Sequence, residues 1–276
     1  MGDALMPSLT YSKWRLLSSS PADGLPAATI RERQLQALAS YIAQSAPPVP
    51  APPAQTSPLP GYAAWYDATK ITGTADGTIL TSWADQSANA YTLTKPSSFN
   101  GGTYYSTTPA KLINGHPCVQ FNEGGATFLQ NTSFPMTAAN VPRLIQAVGQ
   151  TAVVGYIVGF QMAAGAYPLP PNVWSMWWGA DGFVNFGPFD TNLHTFTFYV
   201  PPVGQTAYVR LDGTQIGTKA VTDIFGGTGI SIGADNDGSS AWRGPIGEVV
   251  VYAPSTLTPT QITANEAYLK AKWGTP

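Results

Sequence analysis

Carboxylate side chains, which act as acids, bases and nucleophiles in glycoside hydrolases, are sparse and widely spaced in this sequence. Its four glutamates are Glu32, Glu123, Glu248 and Glu266. Hydrolysis with retention of configuration needs two carboxyl groups about 5–5.5 Å apart, but no acidic residue lies two or three positions from any of the four. The spacing therefore predicts a protein without glycosidase activity, and we expect that it is not an enzyme.

A serine motif and a single cysteine also fail to indicate a nucleophile. Residues 229–233, G-I-S-I-G, match the G-x-S-x-G pattern, but that motif requires a strand-turn-helix and a histidine downstream of the serine. Both histidines, His116 and His194, precede Ser231, and the isoleucines on either side of the serine are typical of a strand. Cys118, the single cysteine, is predicted to be a small buried hydrophobic residue.

Metal-ligating residues are few. Two histidines and one cysteine do not give the spacing of a zinc site. Residues 235–238, D-N-D-G, form an oxygen-rich segment in which Asp235 and Asp237 could bind calcium, although it lacks the glutamate of an EF-hand loop. A tight turn explains the segment equally well, so calcium stays open and no other cofactor is expected.

Three tryptophans stand close together after a proline-rich segment: Trp174, Trp177 and Trp178. An exposed indole has a broad apolar face that can stack on a sugar ring, so these residues are candidate glycan ligands. Because side chains alternate along a strand, Trp174 and Trp178 share one face and Trp177 lies on the other. One of these faces can be core, and the sequence leaves open a glycan platform or a core with an interface.

The elements that must position these residues fall into three segments, of which residues 1–45 are the first. They hold a predicted helix at about 29–44, which begins with a capping box of Thr29 and Glu32. The apolar face of this helix consists of Leu35, Leu38 and Ile42. A stripe this short can pack on its own protein, or it can bind a partner or a second copy. Both interpretations stay open, and residues 1–45 are a candidate anchoring and oligomerisation arm.

The second segment is a spacer and the third is a β-rich body. Residues 46–60 contain seven prolines and are predicted to be stiff. Residues 61–276 alternate short β-type runs with glycine, proline, asparagine and aspartate, which is the pattern of an all-β sandwich. Within them, residues 208–216 predict a hairpin with a D-G turn. One helix is expected in the body, beginning at Thr258 and stopped by Gly274.

The composition excludes several classes of function. Only 10% of the residues are charged and the formal net charge is -2, so the chain lacks the basic surface that binds a nucleic acid. No stretch approaches 18 consecutive apolar residues, so we expect no membrane span. The first twenty residues lack the pattern of a secretory signal, which predicts synthesis in the cytoplasm.

Seven segments of the body match one family in order and spacing: W-Y-D-A at 65–68, W-A-D-Q-S-A-N at 83–89, N-G-H-P-C-V-Q-F at 114–121, Y-V-R-L-D-G at 208–213, G-I-S-I-G at 229–233, W-R-G-P-I-G-E-V-V-V-Y at 242–252 and Y-L-K-A-K-W-G at 268–274. They resemble the laminin G-like, concanavalin A-like jelly rolls, in particular the variants found in bacterial and bacteriophage proteins. The resemblance implies two antiparallel sheets packed face to face, with Trp83 and Trp273 in the core. Structural residues carry this resemblance, so it implies shape more than chemistry.

The resemblance and the order of arm, spacer and body favour a non-enzymatic virion structural protein. This would be a bacteriophage capsid or tail decoration or fibre protein that displays its jelly roll on the virion surface. Its arm would bind capsid or tail proteins and form a homo-oligomer, and its jelly roll could adhere to glycans. The alternative hypothesis is a carbohydrate-binding module or adhesin of a bacterial surface or secreted protein. A glycoside hydrolase-like enzyme ranks third, because the carboxylate pair is missing.

Overall fold

A computed structural model describes residues 55–121, 127–135, 141–152, 155–160, 173–177, 183–222 and 228–276, together with Glu32 and Gln36. The chain forms two compact units, Met1–Ala54 and Gln55–Pro276. In the first unit, Glu32 and Gln36 are helical and exposed, and both lie inside the helix predicted at 29–44. The stripe residues Leu35, Leu38 and Ile42 lie outside the described residues, so the arm stays a prediction.

The described residues of the second unit form β-strands and, near its C-terminal end, one α-helix. Its described strands are β1 (Ala64–Asp67), β2 (Thr78–Ile79), β3 (Ser82–Trp83), β4 (Leu93–Thr94), β5 (Thr103–Tyr105), β6 (Cys118–Phe121), β7 (Leu129–Asn131), β8 (Arg143–Gly149), β9 (Val158–Phe160), β10 (Val173–Trp177), β11 (Phe183–Pro188), β12 (His194–Val200), β13 (Thr206–Leu211), β14 (Thr214–Ala220), β15 (Ile230–Ile232) and β16 (Gly244–Tyr252). The helix, α1 (Pro259–Trp273), follows the last strand.

The strands assemble into two large antiparallel sheets and a separate hairpin. The first sheet has nine strands. Eight of them follow the order β14-β13-β12-β8-β16-β6-β5-β2, and the ninth, β1, pairs with one half of β16 while β6 pairs with the other half. The second sheet has five strands in the order β3-β4-β7-β15-β9, and β10 pairs with β11 alone. This architecture confirms the predicted all-β sandwich with a short C-terminal helix.

The main core contains side chains from both large sheets, and strand alternation decides which side chains enter it. Ile145 and Ala147 of β8 and Val249 and Val251 of β16 are buried in one apolar cluster. The same cluster contains Ile230 of β15, which belongs to the second sheet. Residues at the intervening positions of β8 and β16 face the opposite side of the first sheet, because successive side chains alternate.

Helix α1 packs on that opposite face. Two smaller apolar clusters join it to the sheet, one with Leu144, Val250, Tyr252 and Ile262 and one with Val148, Tyr268, Leu269 and Trp273. Trp83 and Trp273 are 1% and 0% exposed, which confirms that both are core residues. The first sheet is therefore buried on both faces around β8 and β16.

The ends of α1 follow from its cap residues. The Thr258 hydroxyl accepts a hydrogen bond from the backbone N–H of Gln261, and the Gln261 side chain accepts one from the Thr258 N–H, which completes a capping box. The helix ends at Gly274, whose φ of 70° is left-handed. Both predicted ends are confirmed. Among the described residues, no helix has the length and apolar character needed to cross a bilayer.

Residues 55–60, which the sequence assigns to the spacer, belong to the compact unit. The Gln55 side-chain amide and the Leu59 backbone N–H each donate to Asn265 Oδ1 at 2.8 Å. The Tyr252 hydroxyl donates to the Leu59 carbonyl at 2.8 Å. These contacts attach the segment to β16 and α1, in agreement with the start of the second compact unit at Gln55.

Candidate functional site

A depression with a volume of about 460 Å³ lies between α1 and the hairpin of β13 and β14. Its polar lining consists of Arg210, Asp212, Thr214, Thr263, Glu266 and Lys270. We call it the hairpin–helix depression. Two cations, two carboxylates and two hydroxyls converge here on one small surface, which makes the depression the candidate binding site.

A tight turn builds the hairpin wall of this depression. Asp212 and Gly213 connect β13 to β14 with φ values of 50° and 79°, and Leu211 pairs with Thr214 across the turn. Positive φ at both central residues is the requirement of a type I′ turn, whose twist matches that of the flanking strands. The hairpin predicted from the D-G pair is confirmed, and it places Asp212 and Thr214 beside the helix.

Glu266 of α1 lines the depression although only 1% of the residue is exposed. Its ion-pair partner is Arg210, whose Nη2 lies 3.1 Å from Oε2. Burial raises the pKa of Glu266 above its ordinary value, and a hydrogen bond from the Thr197 side chain and the positive charges of Arg210 and Lys270 oppose that shift.

Arg210 and Lys270 connect the hairpin turn to the helix. Arg210 donates from Nε and Nη2 to the carbonyl of Gly213 and, at 3.4 Å, from Nη1 to the Thr263 hydroxyl. Lys270 Nζ donates to the carbonyl of Asp212 at 3.3 Å. An ammonium carries three donors, so Lys270 can bind the turn and still donate to another acceptor.

His194, the first residue of β12, lies between two carboxylates. Its Nδ1 is 2.5 Å from Asp212 Oδ2 and its Nε2 is 2.7 Å from Asp190 Oδ1. Burial lowers the pKa of His194, but the hydrogen bonds and charges of Asp212 and Asp190 outweigh burial, and the pKa is raised above its ordinary value. The two carboxylates therefore stabilise the imidazolium form, and the Asp212 carboxylate is hydrogen-bonded to His194 and to the Thr195 N–H.

We expect the free energy of unfolding to decrease as the pH rises from about 6.5, the ordinary histidine pKa, through the raised pKa of His194 in the folded protein. The folded protein binds this proton more tightly than the unfolded chain does. Its stabilisation is therefore fully present below the lower pKa and lost above the higher one. Urea unfolding at a series of pH values measures this decrease.

His194→Gln should remove most of the pH dependence above pH 6.5, whereas His116→Gln should retain it. His116 is the matched control because it is the other histidine of the chain and lies beside Trp273. A pH dependence of unchanged size in His194→Gln would contradict this assignment.

Two carboxylates do lie close together, but away from solvent. Glu248 of β16 and Asp67 of β1 are both 0% exposed, and both contact Lys272 Nζ, at 2.8 and 2.7 Å. We call Asp67, Glu248 and Lys272 the buried charge cluster. The indole N–H groups of Trp65 and Trp273 donate to the Glu248 carboxylate. Burial raises the pKa of Glu248, and the Lys272 ammonium opposes the shift. The charged groups of this cluster therefore bind one another and the two indole N–H groups.

The candidates for nucleophilic chemistry are also buried. Ser231 lies in β15, and its hydroxyl donates to the Ala234 carbonyl at 2.7 Å, so residues 229–233 contain a strand, as predicted, and not a nucleophile elbow. Cys118 is 0% exposed, as predicted, and burial raises the pKa of its thiol to about 12. Neither side chain presents a nucleophile to solvent.

Of the three tryptophan candidates, the structure describes the side chain of Trp174. Trp174 of β10 is 3% exposed, and its ring packs edge-on against Phe189, His194 and Phe196. Of the two roles predicted for Trp174, glycan platform or core residue, this placement favours the core residue. The side chain of Trp177 and the whole of Trp178 lie outside the described residues, so their role in glycan binding stays a prediction.

The calcium candidates lie in a hydrogen-bonded turn. The Asp235 N–H donates to the Ser239 carbonyl at 3.0 Å, and Asp237 Oδ1 accepts from the Ser239 N–H at 2.7 Å. Within the part of the chain that the structure describes, no group of three histidine, cysteine or acidic side chains is arranged to hold a metal ion. The turn accounts for Asp235 and Asp237 without an ion.

The comparisons with known proteins show similarity in structure. No protein-family model matches the chain, and no curated protein is significantly similar to it in sequence. Domain 4 of AbnA, a GH43 extracellular arabinanase from Geobacillus stearothermophilus solved in complex with arabinotriose, matches with a TM-score of 0.51 and 13% identity, over 74% of this chain and 98% of that domain. The two share a β-sandwich fold.

Two larger proteins match with similar scores. Trypanosoma rangeli sialidase in complex with sialic acid has a TM-score of 0.54 and 15% identity, over 87% of this chain and 39% of the sialidase. An arabinofuranosidase complexed with arabinofuranosyl-alpha-1,2-xylobiose has a TM-score of 0.53 and 14% identity, over 77% of this chain and 59% of that one. The chain therefore spans less than two thirds of both enzymes, and these three structures show no link to bacteriophage.

Proposed function

We propose that residues 55–276 form a carbohydrate-binding β-sandwich that recognises glycans without cleaving them. The observation that carries this proposal is the match to nearly the whole length of domain 4 of AbnA, which was solved with arabinotriose bound. That domain is a β-sandwich of comparable extent, whereas the enzyme matches include large parts that this chain does not cover.

The lack of cleavage is supported by the positions of the carboxylates. Glycoside hydrolysis needs two carboxyl groups that flank the bond to be broken. Asp67 and Glu248 are adjacent but fully buried around Lys272, so a sugar cannot reach them. In the hairpin–helix depression, the Asp212 carboxylate is occupied by His194 and Thr195, and the Glu266 carboxylate is buried and ion-paired with Arg210.

We expect the full chain to bind oligosaccharides reversibly and to release no reducing ends from them. An array of neutral and sialylated oligosaccharides that includes arabinotriose measures binding, and a reducing-sugar assay on the same compounds measures cleavage. The heat-denatured chain is the control for non-specific adsorption. A chain that retains no glycan would contradict the binding function, and the appearance of new reducing ends would contradict the absence of catalysis.

The virion role is a second and narrower hypothesis. It is supported by the sequence order of arm, proline-rich segment and body, and by the resemblance to jelly rolls of phage proteins. In it, residues 1–45 attach the chain to a capsid or tail protein and hold several copies together on the virion surface. Light scattering of the full chain tests the oligomer, and a monomer would count against that part of the hypothesis.

A further inference from the structure

We propose that Asn114 is a site of spontaneous deamidation, in which the backbone nitrogen of Gly115 attacks the Asn114 side-chain amide and converts the residue to aspartate or isoaspartate. The chain contains two Asn–Gly dipeptides, Asn114–Gly115 and Asn100–Gly101. Glycine at the second position favours the reaction, because it has no Cβ atom to hinder its own nitrogen. The fold exposes the first dipeptide and encloses the second, so of the two asparagines we expect Asn114 to react.

The reaction uses the chain and water alone. The Gly115 nitrogen forms a bond to Cγ of Asn114, the bond from Cγ to Nδ2 breaks, and Nδ2 leaves as ammonia with the proton that the Gly115 nitrogen gave up. The product is a five-membered succinimide ring. Water then opens the ring at one of its two carbonyl carbons, which leaves an aspartate or an isoaspartate and adds one carboxylate to the protein. Asparagine is one of the thermolabile residues of proteins.

Asn114 and Gly115 are the two central residues of a turn at the surface. Both are exposed, and their φ values are 47° and 78°. The turn is closed by two hydrogen bonds between Ile113 and His116, of 3.0 and 2.8 Å, which form an isolated bridge outside the named strands. A Cβ atom at Gly115 would meet nothing within 4 Å. The Gly115 nitrogen therefore has space to rotate towards Cγ of Asn114 when these two bonds open, which is a local event.

The Asn114 side chain lies against the end of α1. A Cβ atom at Gly274, which ends the helix, would lie 2.7 Å from Asn114 Nδ2 and 2.9 Å from its Cγ, so the amide occupies space that the glycine leaves open. Within the described part of the chain, the Asn114 amide makes no hydrogen bond that holds it there. The amide can therefore leave Gly274 and approach the Gly115 nitrogen without breaking a polar contact.

Asn100–Gly101 has the same two residues in a closed environment. The Asn100 carbonyl accepts a hydrogen bond from the Phe128 N–H at 3.0 Å, and Gly101 is buried. A Cβ atom at Gly101 would overlap the Leu80 carbonyl oxygen, so the Leu80 backbone lies directly against this glycine. The Leu80 N–H donates to the Gly102 carbonyl at 2.9 Å. The Gly101 nitrogen cannot rotate towards the Asn100 side chain unless this packing opens, so we expect Asn100 to be protected.

The product of deamidation changes the contact with α1. The C-terminal end of a helix carries a partial negative charge, so a carboxylate at position 114, beside Gly274, is repelled. Isoaspartate also adds a carbon to the backbone of a two-residue turn, which disturbs the pairing of Ile113 with His116. Ile113 packs in the apolar cluster that contains Trp273 of α1. We therefore expect the deamidated chain to unfold at a lower urea concentration than the intact chain.

Peptide mapping by mass spectrometry, after incubation of the full chain in neutral buffer, tests the site. Deamidation replaces –NH2 with –OH, and fragmentation of each peptide shows which asparagine gained that mass. In the folded chain we expect Asn114 to react ~10-fold or more faster than Asn100, because an exposed turn opens more readily than a buried segment. In the chain unfolded by guanidinium chloride the two dipeptides are equally open, and the two rates should become similar.

Three results would overturn the assignment: equal rates at Asn114 and Asn100 in the folded chain, no product at Asn114, or a difference in rate that persists in guanidinium chloride. The last result would show that neighbouring residues in the sequence, and not the fold, set the two rates.

A variant tests the effect on α1 separately. Asn114→Asp reproduces one of the two products and should unfold at a lower urea concentration than the unmodified chain. Gln205→Glu is the matched control, because it converts an exposed amide to a carboxylate away from the helix end. Equal stability of Asn114→Asp and Gln205→Glu would contradict the predicted repulsion at Gly274.

Discussion

Replacing Lys272 with alanine is expected to lower the free energy of unfolding by about 3–5 kcal/mol. The Lys272 ammonium is the counter-charge of Asp67 and Glu248, which are both fully buried. Without it, two negative charges remain close together where water does not reach. The loss is large because each remaining carboxylate keeps the cost of leaving water and loses the attraction that offset it.

Urea unfolding of the full chain, followed by tryptophan fluorescence, measures this loss. All tryptophans except Trp14 lie in residues 55–276, so the signal reports on the β-sandwich. Lys70→Ala is the matched control, because Lys70 is exposed and such substitutions change stability by less than about 0.5 kcal/mol. Equal stability of the two variants would show that the cluster does not depend on its cation.

Neutralising all three residues of the cluster should lower the free energy of unfolding by less than removing the Lys272 ammonium alone. A triple variant with Lys272→Met, Glu248→Gln and Asp67→Asn has no charge left in the buried charge cluster, and the three new side chains are close in size to the originals. The triple variant leaves no unpaired charge in the cluster, so it avoids the penalty of removing one partner from a buried ion pair. We expect the triple variant to unfold at a higher urea concentration than Lys272→Ala.

Replacing Phe121 with alanine is also expected to lower the free energy of unfolding by about 3–5 kcal/mol, but by a different mechanism. Phe121 ends β6 in the first sheet, is fully buried, and its ring reaches the second sheet. A Cβ atom at Gly233, which follows β15, would lie 2.2 Å from this ring, so the ring occupies the space that glycine leaves. Truncation opens a cavity between the sheets that the rigid strands cannot close.

The same unfolding measurement tests Phe121→Ala. Phe121→Leu retains more of the buried volume and should lose less stability than the alanine variant. Ile79→Ala is the exposed control, because Ile79 is a large apolar residue with 49% of its surface in solvent. An alanine variant of Phe121 as stable as that control would contradict the packing between the sheets.

Local patterns account for the parts of the fold that could be predicted from the sequence. The D-G turn at Asp212 and Gly213 and the ends of α1 at Thr258 and Gly274 were predicted correctly. In each case two or three neighbouring residues decide the backbone conformation. Residues 249–252 are all apolar, which predicts a strand buried on both faces. The structure buries alternate residues of this run in two different apolar clusters.

The candidate site could not be predicted, because its residues meet only through the fold. Arg210 and Glu266 come from a strand and a helix that lie far apart in the sequence. Glu248 has no acidic residue nearby in sequence and still meets Asp67, because β1 pairs with β16. Trp174 shows the opposite case, since a run of aromatic residues is compatible with both burial and exposure.

The pairing of β1 with β16 has a consequence for the order in which the protein can be completed. Ala64 lies opposite Val251, and Lys272 neutralises Asp67, so an early strand depends on the last strand and the last helix. A ribosome adds about 5–20 residues per second, and roughly 200 residues separate Asp67 from Lys272, so the delay is about 10–40 s. During synthesis the Asp67 carboxylate therefore stays hydrated until Lys272 has been made, and the sandwich can be completed only after helix α1 has left the ribosome.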